Sequence, residues 1–226
     1  MFFNDETSDE GGDTVNLFAK YLSKVYSDKA FQIPEYYTTG LVDQFDVKFV
    51  ELSLVEVFDE ILGLQSKTSA GPDGIPSLLL RECVCTLSKP ICTLFNLSLK
   101  SGVFLSFWKN SYVTPIFKSS NTSDVSNYRG VCLQSTLPKL LDALVTKQLS
   151  WQCKSLIINS QHGFQKGRST VTNLICYEDY LFNAFGKGSQ VDAVYTDFSK
   201  AFDRVNHALL LAKLQALGLD QVLFVD

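Results

Sequence analysis

Strand patterns are few in this sequence, and their arrangement constrains the fold more than any other feature. Val113 to Phe117 and Tyr128 to Leu133 read as strands on either side of a polar turn at 119–124, which predicts a long-tipped β-hairpin. Pro115 places the first strand at a sheet edge or a bulge, because proline lacks the amide that a central strand needs. A third strand pattern, Val191 to Asp197, alternates in polarity and ends in a turn. Since helical patterns fill most of the rest, we expect a mixed α/β (α+β) fold.

Helical periodicity carries recognisable start and stop signals. Ser53 and Glu56 form a capping box, because their side chains can satisfy main-chain donors at the start of a helix. The segment 69–76 contains two glycines, two prolines and an aspartate, so it predicts an irregular turn. Two helical stretches after this turn, 78–87 and 91–99, are predicted to meet at Pro90. Further helices are predicted from Thr14 onward, at 137–149, at 170–185 after Ser169, and at 207–217 after Asn206.

Composition narrows the class of protein. The longest uninterrupted apolar run, 208–212, falls far short of the roughly 20 residues that a membrane span needs. The first residues lack the basic region and long apolar run of a secretory signal. Cys83, Cys85 and Cys92 lack the paired spacing and nearby histidine of structural zinc sites, so we interpret them as core residues. With 46% hydrophobic and 19% charged residues, we expect a globular, intracellular protein that is not secreted and has no membrane partner.

Charge is unevenly distributed along the chain. Residues 1–99 hold 7 Lys and Arg against 15 Asp and Glu, a balance of −8. Residues 100–170 hold 9 against 2, a balance of +7, and residues 171–226 hold 4 against 7, a balance of −3. The net charge of −4 argues against a free-standing nucleic-acid binder. The basic middle region is compatible with contacts to phosphates or with ordinary surface solvation.

Asp197 ends the predicted third strand, and Phe202 follows five residues later. A polymerase holds two Mg²⁺ ions about 3.5–4 Å apart with carboxylates on rigid strand ends. Asp197 could supply one ligand and the main-chain carbonyl of Phe198 another, while the ring of Phe202 would exclude a 2′-hydroxyl. A turn-forming aspartate and a core aromatic residue explain the same pattern. The local sequence therefore leaves both interpretations open.

Four ordered blocks resemble non-LTR (LINE-type, jockey-like) retrotransposon reverse transcriptases, over roughly residues 14–226. The run Tyr-Thr-Asp-Phe-Ser-Lys-Ala-Phe-Asp-Arg-Val-Asn-His at 195–207 resembles motif A of that family. The other three blocks, at 70–76, at 115–118 with 127–129, and at 161–170, resemble its Gly-Pro-Asp-Gly block, its fingers hairpin and its Gln-x-Gly-Phe block.

The resemblance implies a truncated right-hand polymerase. Residues 1–13 would be a disordered acidic lead, residues 14–190 the helical fingers, and residues 191–226 the start of the palm with the motif A strand and the following helix. The implied reaction is RNA-directed DNA synthesis by nucleotidyl transfer from a dNTP to a primer 3′-hydroxyl, with two Mg²⁺ ions in the complete domain. An RNA template, a DNA primer and dNTPs are the implied partners.

Individual roles follow from the same resemblance. Lys118 and Arg129 would contact the triphosphate, and Phe202 would select deoxynucleotides. The catalytic aspartate would be Asp197, which would bind Mg²⁺ together with the Phe198 carbonyl. Template or primer phosphates would meet Gln161, Lys166 and Arg168. Lys118 and Arg129 could instead be solvated surface cations. Arg168 could instead have only a structural role in its turn. We expect Phe164 in the core, and Gly71, Pro72, Asp73 and Gly74 in a structural turn.

Two departures from the family pattern stand out. The family usually continues with Pro-Ile-Ser-Leu after the hairpin arginine, whereas this chain has Gly-Val-Cys-Leu at 130–133. The 226 residues also contain no adjacent pair of aspartates, so the downstream Asp-Asp motif has no counterpart. We therefore expect an amino-terminal fragment that is inactive alone. Alternative functions are a non-catalytic nucleic-acid-binding module and a protein-interaction remnant.

Overall fold

The computed structural model describes residues 1–3, 6–8, 11–24, 51–198 and 201–216. Contacts divide the chain into two compact units, which are unit 1 (Met1–Ser150 with Phe202–Asp226) and unit 2 (Trp151–Ala201). Helices and two small antiparallel sheets are both present, which confirms the predicted mixed α/β (α+β) character. The assignment of fingers and palm stays a prediction.

Helices supply the main hydrophobic core of unit 1. These helices are α2 (Leu54–Leu62), α3 (Ser77–Glu82), α4 (Val84–Ser101) and α5 (Thr136–Gln152). Phe95 of α4 is fully buried, and its ring meets that of Trp108 edge to face with centroids 5.8 Å apart. The other buried members of the core are Leu52, Val57, Ile61, Leu80, Val84, Ile91, Leu140, Leu141 and Leu144. Apolar positions at helical spacing therefore form one shared interior.

Helix starts follow the local signals of the sequence. The amide of Glu56 donates to Ser53 Oγ at 3.2 Å, and the amide of Ser53 donates to Glu56 Oε2 at 2.9 Å. The predicted capping box is thus confirmed. Ser169 caps α6 (Thr170–Gly186) in the same way. Asn206 accepts from the third residue of α7 (His207–Ala216), as predicted, and the predicted end of this helix at 217–218 lies outside the described residues.

Two details of the predicted helices are wrong. The break between α3 and α4 falls at Cys83, while Pro90 lies inside α4. Proline costs a helix one hydrogen bond, but burial of Ile91 and Phe95 on the same core face outweighs that local preference. On α2, the helical spacing predicts that Leu54, Val57, Phe58, Ile61 and Leu62 face inward. Leu54 and Leu62 do not, since they are 46% and 42% exposed.

The predicted hairpin is confirmed as β3 (Ser111–Phe117) and β4 (Tyr128–Gln134). The strands are antiparallel, with the register running from Ser111 opposite Gln134 to Phe117 opposite Tyr128. Pro115 lies opposite Gly130 in a two-stranded sheet, so it occupies an edge, as predicted. At the tip, Asp124 Oδ1 accepts from the amide of Ser126 at 2.8 Å and shapes the turn.

Regular structure occurs within residues 1–13, the segment that the sequence predicts to be a disordered lead. Strands β1 (Phe2–Phe3) and β2 (Glu6–Thr7) pair, and α1 runs from Gly11 to Ser23. The amide of Phe2 donates to Ser123 in the hairpin tip at 2.8 Å. The ring of Phe3 packs on Tyr21 with centroids 5.2 Å apart. An acidic composition predicts disorder only where no apolar side chain finds a partner, and here the two phenylalanines supply the apolar contacts.

Unit 2 contains α6 and the segments on either side of it. None of the α6 side chains is buried. The predicted strand at 191–197 is wrong, because residues 191–198 have no regular structure. A strand requires a hydrogen-bonded neighbour, and within the described residues no other strand pairs with this segment. Among the helices that the structure describes, none combines the length and hydropathy needed to cross a bilayer.

Candidate nucleotide and nucleic-acid site

Lys118 and Arg129 lie on the same face of the β3–β4 hairpin. Arg129 is directly opposite Ile116 in the register, and Lys118 follows two residues after Ile116. The Lys118 amide donates to the carbonyl of Asn127 at 2.9 Å, so the ladder continues to this position. Because side chains alternate along a strand, Arg129 and Lys118 are diagonal neighbours, for which the typical separation is about 7–8 Å. The register therefore brings the two predicted triphosphate ligands together.

Both cations are exposed, and neither forms a salt bridge within the part of the chain that the structure describes. An arginine can bind a phosphate with two parallel hydrogen bonds, and a lysine contributes a compact charge. On the same face of the hairpin, the exposed apolar side chains are Tyr112, Ile116, Val131 and Leu133. This face is thus an open apolar surface with two cations at its tip.

The opposite face of the hairpin packs on α1. Tyr128 meets Phe18 edge to face with ring centroids 5.0 Å apart, and Phe117 packs on Tyr128 at 5.3 Å. Leu17, Phe18 and Tyr21 of α1 are buried together with Val125 of the hairpin tip. Packing on one face therefore presents the two cations on the other.

The Gly-Pro-Asp-Gly turn fixes the far end of the hairpin. A Cβ atom on Gly71 would lie 2.6 Å from the Cα of Ser135, which is the fully buried residue between β4 and α5. Ser135 Oγ accepts from the amide of Asp73 at 3.2 Å, and Asp73 Oδ1 accepts from the amide of Ile75 at 3.0 Å. The contacts support the predicted structural role of this turn. Its close approach to Ser135 is a feature that sequence reasoning missed.

The sequence of this part of the chain matches a known protein family. The family described as "Reverse transcriptase (RNA-dependent DNA polymerase)" matches residues 116–225, a range that contains every candidate site residue named above apart from the turn at 71–74. Residues 116–225 belong to the reverse transcriptase family.

Relatives of this reverse transcriptase sequence come from non-LTR retrotransposons. The probable RNA-directed DNA polymerase from the transposon BS of Drosophila melanogaster is 26% identical over 210 residues, which are 89% of this chain and 23% of that protein. The RNA-directed DNA polymerase from the mobile element jockey of the same fly is 27% identical over 216 residues, or 93% of this chain and 23% of that protein. A Pol polyprotein from the type-1 element R1 of Bradysia coprophila is 26% identical over 167 residues, or 73% and 16%. The chain thus spans less than a quarter of the length of these relatives.

The Gln-x-Gly-Phe block of the reverse transcriptase region is a loop in unit 2 that leads into α6. Arg168 Nη1 donates to the carbonyls of Asn159 and Gln161, the latter at 3.2 Å. Gln161 Nε2 donates to the carbonyl of Gly163 at 3.1 Å. Both side chains therefore stabilise the loop itself, while the Lys166 side chain is exposed to solvent. Of the three predicted phosphate contacts, Lys166 is the one that the loop structure leaves most accessible.

Phe164 does not lie in the core, so the prediction for this residue is wrong. The residue is 92% exposed and has a φ of 60°, a left-handed conformation that is uncommon outside glycine. Gly167 follows with a φ of 79°, so two residues within four positions of this loop adopt the left-handed conformation. His162 Nδ1 lies 2.9 Å from Thr172 Oγ1 in the first turn of α6. The backbone turn thus directs Phe164 into solvent.

Motif A residues Asp197 and Phe198 lie at the end of the irregular segment in unit 2, and Phe198 is 86% exposed. Phe202 begins a short 3-10 helix and is also exposed. Nearby, a hydrogen bond joins the hydroxyls of Tyr195 and Tyr177, whose oxygens lie 3.2 Å apart. Asp197 belongs to unit 2 and the hairpin to unit 1, and the catalytic role of Asp197 stays a prediction.

Within the described part of the chain, the acidic residues do not complete a two-metal site. The Asp197 carboxylate and the Phe198 carbonyl are oxygen donors of the kind that Mg²⁺ prefers. However, among the residues that the structure describes, no group of three or more acidic, histidine or cysteine side chains is gathered as a metal site would require. Asp197 therefore suits one ligand position, and the remaining positions are not filled by described residues.

Proposed function

We propose that this chain forms the nucleotide-binding part of an RNA-directed DNA polymerase from a non-LTR retrotransposon. The main support is the register that brings Lys118 and Arg129 to one exposed face of the hairpin. Such a pair fits a triphosphate, because arginine binds two phosphate oxygens and lysine neutralises a third charge. Similarity to the BS and jockey polymerases over most of the chain supports the same function.

Roles for the other residues complete the proposal. The reaction is nucleotidyl transfer from a dNTP to the 3′-hydroxyl of a DNA primer on an RNA template, and Mg²⁺ would supply charge stabilisation and activate the hydroxyl. Asp197 and the Phe198 carbonyl are the proposed magnesium ligands, and Phe202 is the proposed sugar-selecting residue. Template or primer phosphates would be contacted by Lys166 and by Gln161 and Arg168. These last two residues would have to combine phosphate contacts with their hydrogen bonds inside the loop.

Binding of Mg·dTTP to the purified chain tests the nucleotide site without requiring catalysis. We expect Lys118→Ala and Arg129→Ala each to weaken the affinity about three- to tenfold, since a charged hydrogen bond is lost but solvent screens an exposed pair. Lys139→Ala is the matched control, because it removes the same charge from an exposed position on α5 of the same unit. Equal affinities for the wild-type chain and all three variants would contradict the proposal.

A second candidate function is nucleic-acid binding without catalysis. The balance of +7 in residues 100–170 favours it, because phosphate contacts by lysine and arginine dominate such binding. In gel-shift titrations of single-stranded RNA at several salt concentrations, the logarithm of the affinity should fall linearly with the logarithm of the salt concentration. Absence of any shift, or a shift that is independent of salt, excludes this function.

A further inference from the structure

Gly130 directly follows Arg129 in β4, and its bare Cα lies against α1. A Cβ atom at this position would lie 3.1 Å and 3.3 Å from the two terminal methyl carbons of Leu22, and 3.0 Å from a methyl carbon of Val113. Such distances are tighter than ordinary van der Waals contact, so a side chain here would have to displace its neighbours. The close approach of Leu22 therefore accounts for a glycine where the family usually has proline.

Other contacts fix α1 against the same hairpin. Tyr21 donates from its hydroxyl to the carbonyl of Ser126 in the hairpin tip at 3.2 Å. Phe18 packs on Tyr128, the residue before Arg129. Arg129 is therefore flanked on both sides by residues that contact α1. The helix reaches the strand at Gly130 and the tip at Ser126, so it contacts the hairpin at two separate places.

A two-stranded hairpin has little stability of its own in water, and its position depends on what packs against it. Holding a ligand-binding side chain in place before binding reduces the entropy that the ligand must overcome. The cations point away from α1, while the strand that carries Arg129 is held by α1 from behind. A displacement of Gly130 would therefore move the adjacent Arg129 main chain.

We propose that helix α1 positions the Arg129–Lys118 pair for a nucleoside triphosphate, and that Leu22 seated against Gly130 is the contact that sets the place of the strand. The inference rests on the proposed nucleotide site and adds the elements that orient it. Leu22 and Gly130 are positioning residues, because they act through Arg129 and do not face the ligand.

Three variants test this contact. Gly130→Val places methyl groups where Leu22 lies, and Leu22→Ala removes the seated side chain without a clash. The double variant relieves the clash with Leu22 and leaves only the 3.0 Å approach to Val113. Gly186→Val is the matched control, because a Cβ atom at Gly186 has open space around it and the backbone there is not left-handed. Far-ultraviolet circular dichroism establishes that each variant is folded before binding is measured.

Mg·dTTP affinity is the first readout. Gly130→Val is expected to weaken it about three- to tenfold, and tenfold corresponds to about 1.4 kcal/mol. Leu22→Ala is expected to weaken it about threefold or less, since the strand is loosened but not displaced. The double variant should recover affinity relative to Gly130→Val alone, and Gly186→Val should bind as the wild-type chain does.

Hydrogen exchange is the second readout, and it separates positioning from general destabilisation. In Gly130→Val, the amide of Lys118 should lose protection, whereas amides of α4 around Phe95 should keep theirs. Equal loss in both places, or no recovery in the double variant, overturns the inference.

Failure of the inference differs from failure of the proposed function. If the wild-type chain does not bind Mg·dTTP, the proposed nucleotide site is refuted. If the wild-type chain binds it and Gly130→Val binds equally well, the positioning role alone is refuted.

Discussion

Gly71 offers a sharp test of how the fold supports the hairpin. A Cβ atom added there would lie 2.6 Å from the Cα of Ser135, 2.8 Å from its amide nitrogen and 2.9 Å from the carbonyl oxygen of Gln134. All three are main-chain atoms, so rotation of a flexible side chain cannot relieve the clash. Gly71→Ala must therefore separate the turn from the junction between β4 and α5.

The magnitude follows from two contributions. Forcing extra volume into a packed place typically costs about 1–3 kcal/mol. Separation of the turn also breaks the hydrogen bond from the Asp73 amide to Ser135 Oγ, which contributes about 0.5–1.5 kcal/mol. We expect the free energy of unfolding of unit 1 to fall by about 2–4 kcal/mol.

Urea denaturation followed by circular dichroism measures this loss through the shift in midpoint. Gly63→Ala is the control, because its Cβ would meet only the carbonyl oxygens of Asp59 and Glu60 at 3.5 Å, which is ordinary contact. It should change the stability by about 0.5 kcal/mol or less. If Gly71→Ala is as stable as Gly63→Ala, the reasoning from the close approach is refuted.

Three further predictions concern the capping box, the core and catalysis. Ser53→Ala should destabilise the chain by about 1 kcal/mol at neutral pH. Hydrogen bonds from the Ser53 amide and then from its hydroxyl lower the pKa of Glu56, and the variant removes only the hydroxyl bond. The part of the loss that comes from this bond is present above the ordinary pKa of glutamate, about 4.3, and disappears as the pH falls through the lower folded pKa; a difference in midpoint between wild type and variant that is the same at pH 7 and pH 3 would contradict it. Phe95→Ala should cost about 3–5 kcal/mol in urea titrations because the ring is fully buried against Trp108, and a loss under 1 kcal/mol would show that the core is loosely packed. The 226-residue chain should not incorporate labelled dTTP on poly(rA)/oligo(dT), since one carboxylate cannot hold two metal ions, and incorporation abolished by Asp197→Ala would overturn that expectation.

Sequence patterns correctly predicted the elements that depend on residues close together in the chain. The Ser53 and Ser169 caps and the polar tip between β3 and β4 depend on residues within a few positions of each other, so their signals are readable in the chain. The same holds for Gly102, a typical helix stop signal, which ends α4 in a left-handed conformation. Local chemistry was sufficient for these elements.

Elements that depend on distant partners were predicted less well. The segment 191–197 alternates like a strand, yet alternation does not supply the hydrogen-bonded neighbour that a strand needs. Pro90 remains inside a helix because Ile91 and Phe95 are buried by residues far away in the sequence. The strand at residues 2–3 likewise depends on a distant partner, since the Phe2 amide donates to Ser123 in the hairpin tip.

The candidate site shows the same division. The pairing of Lys118 with Arg129 followed from the hairpin register, which the turn and strand patterns specify. Exposure of Phe164 did not follow, because a left-handed backbone at a phenylalanine contradicts its intrinsic preference. The contact between Leu22 and Gly130 joins residues more than a hundred positions apart, so only a glycine within a strand pattern hinted at it.

The burial of Val125 beneath α1 has a practical consequence for anyone who shortens this protein. Deleting residues 1–24 would remove Leu17, Phe18 and Tyr21, which cover Val125 and the ring of Tyr128. The uncovered hairpin would then carry apolar side chains on both of its faces, a condition that promotes self-association. Trimming for crystallisation should therefore retain the amino-terminal segment, however acidic and dispensable its composition looks.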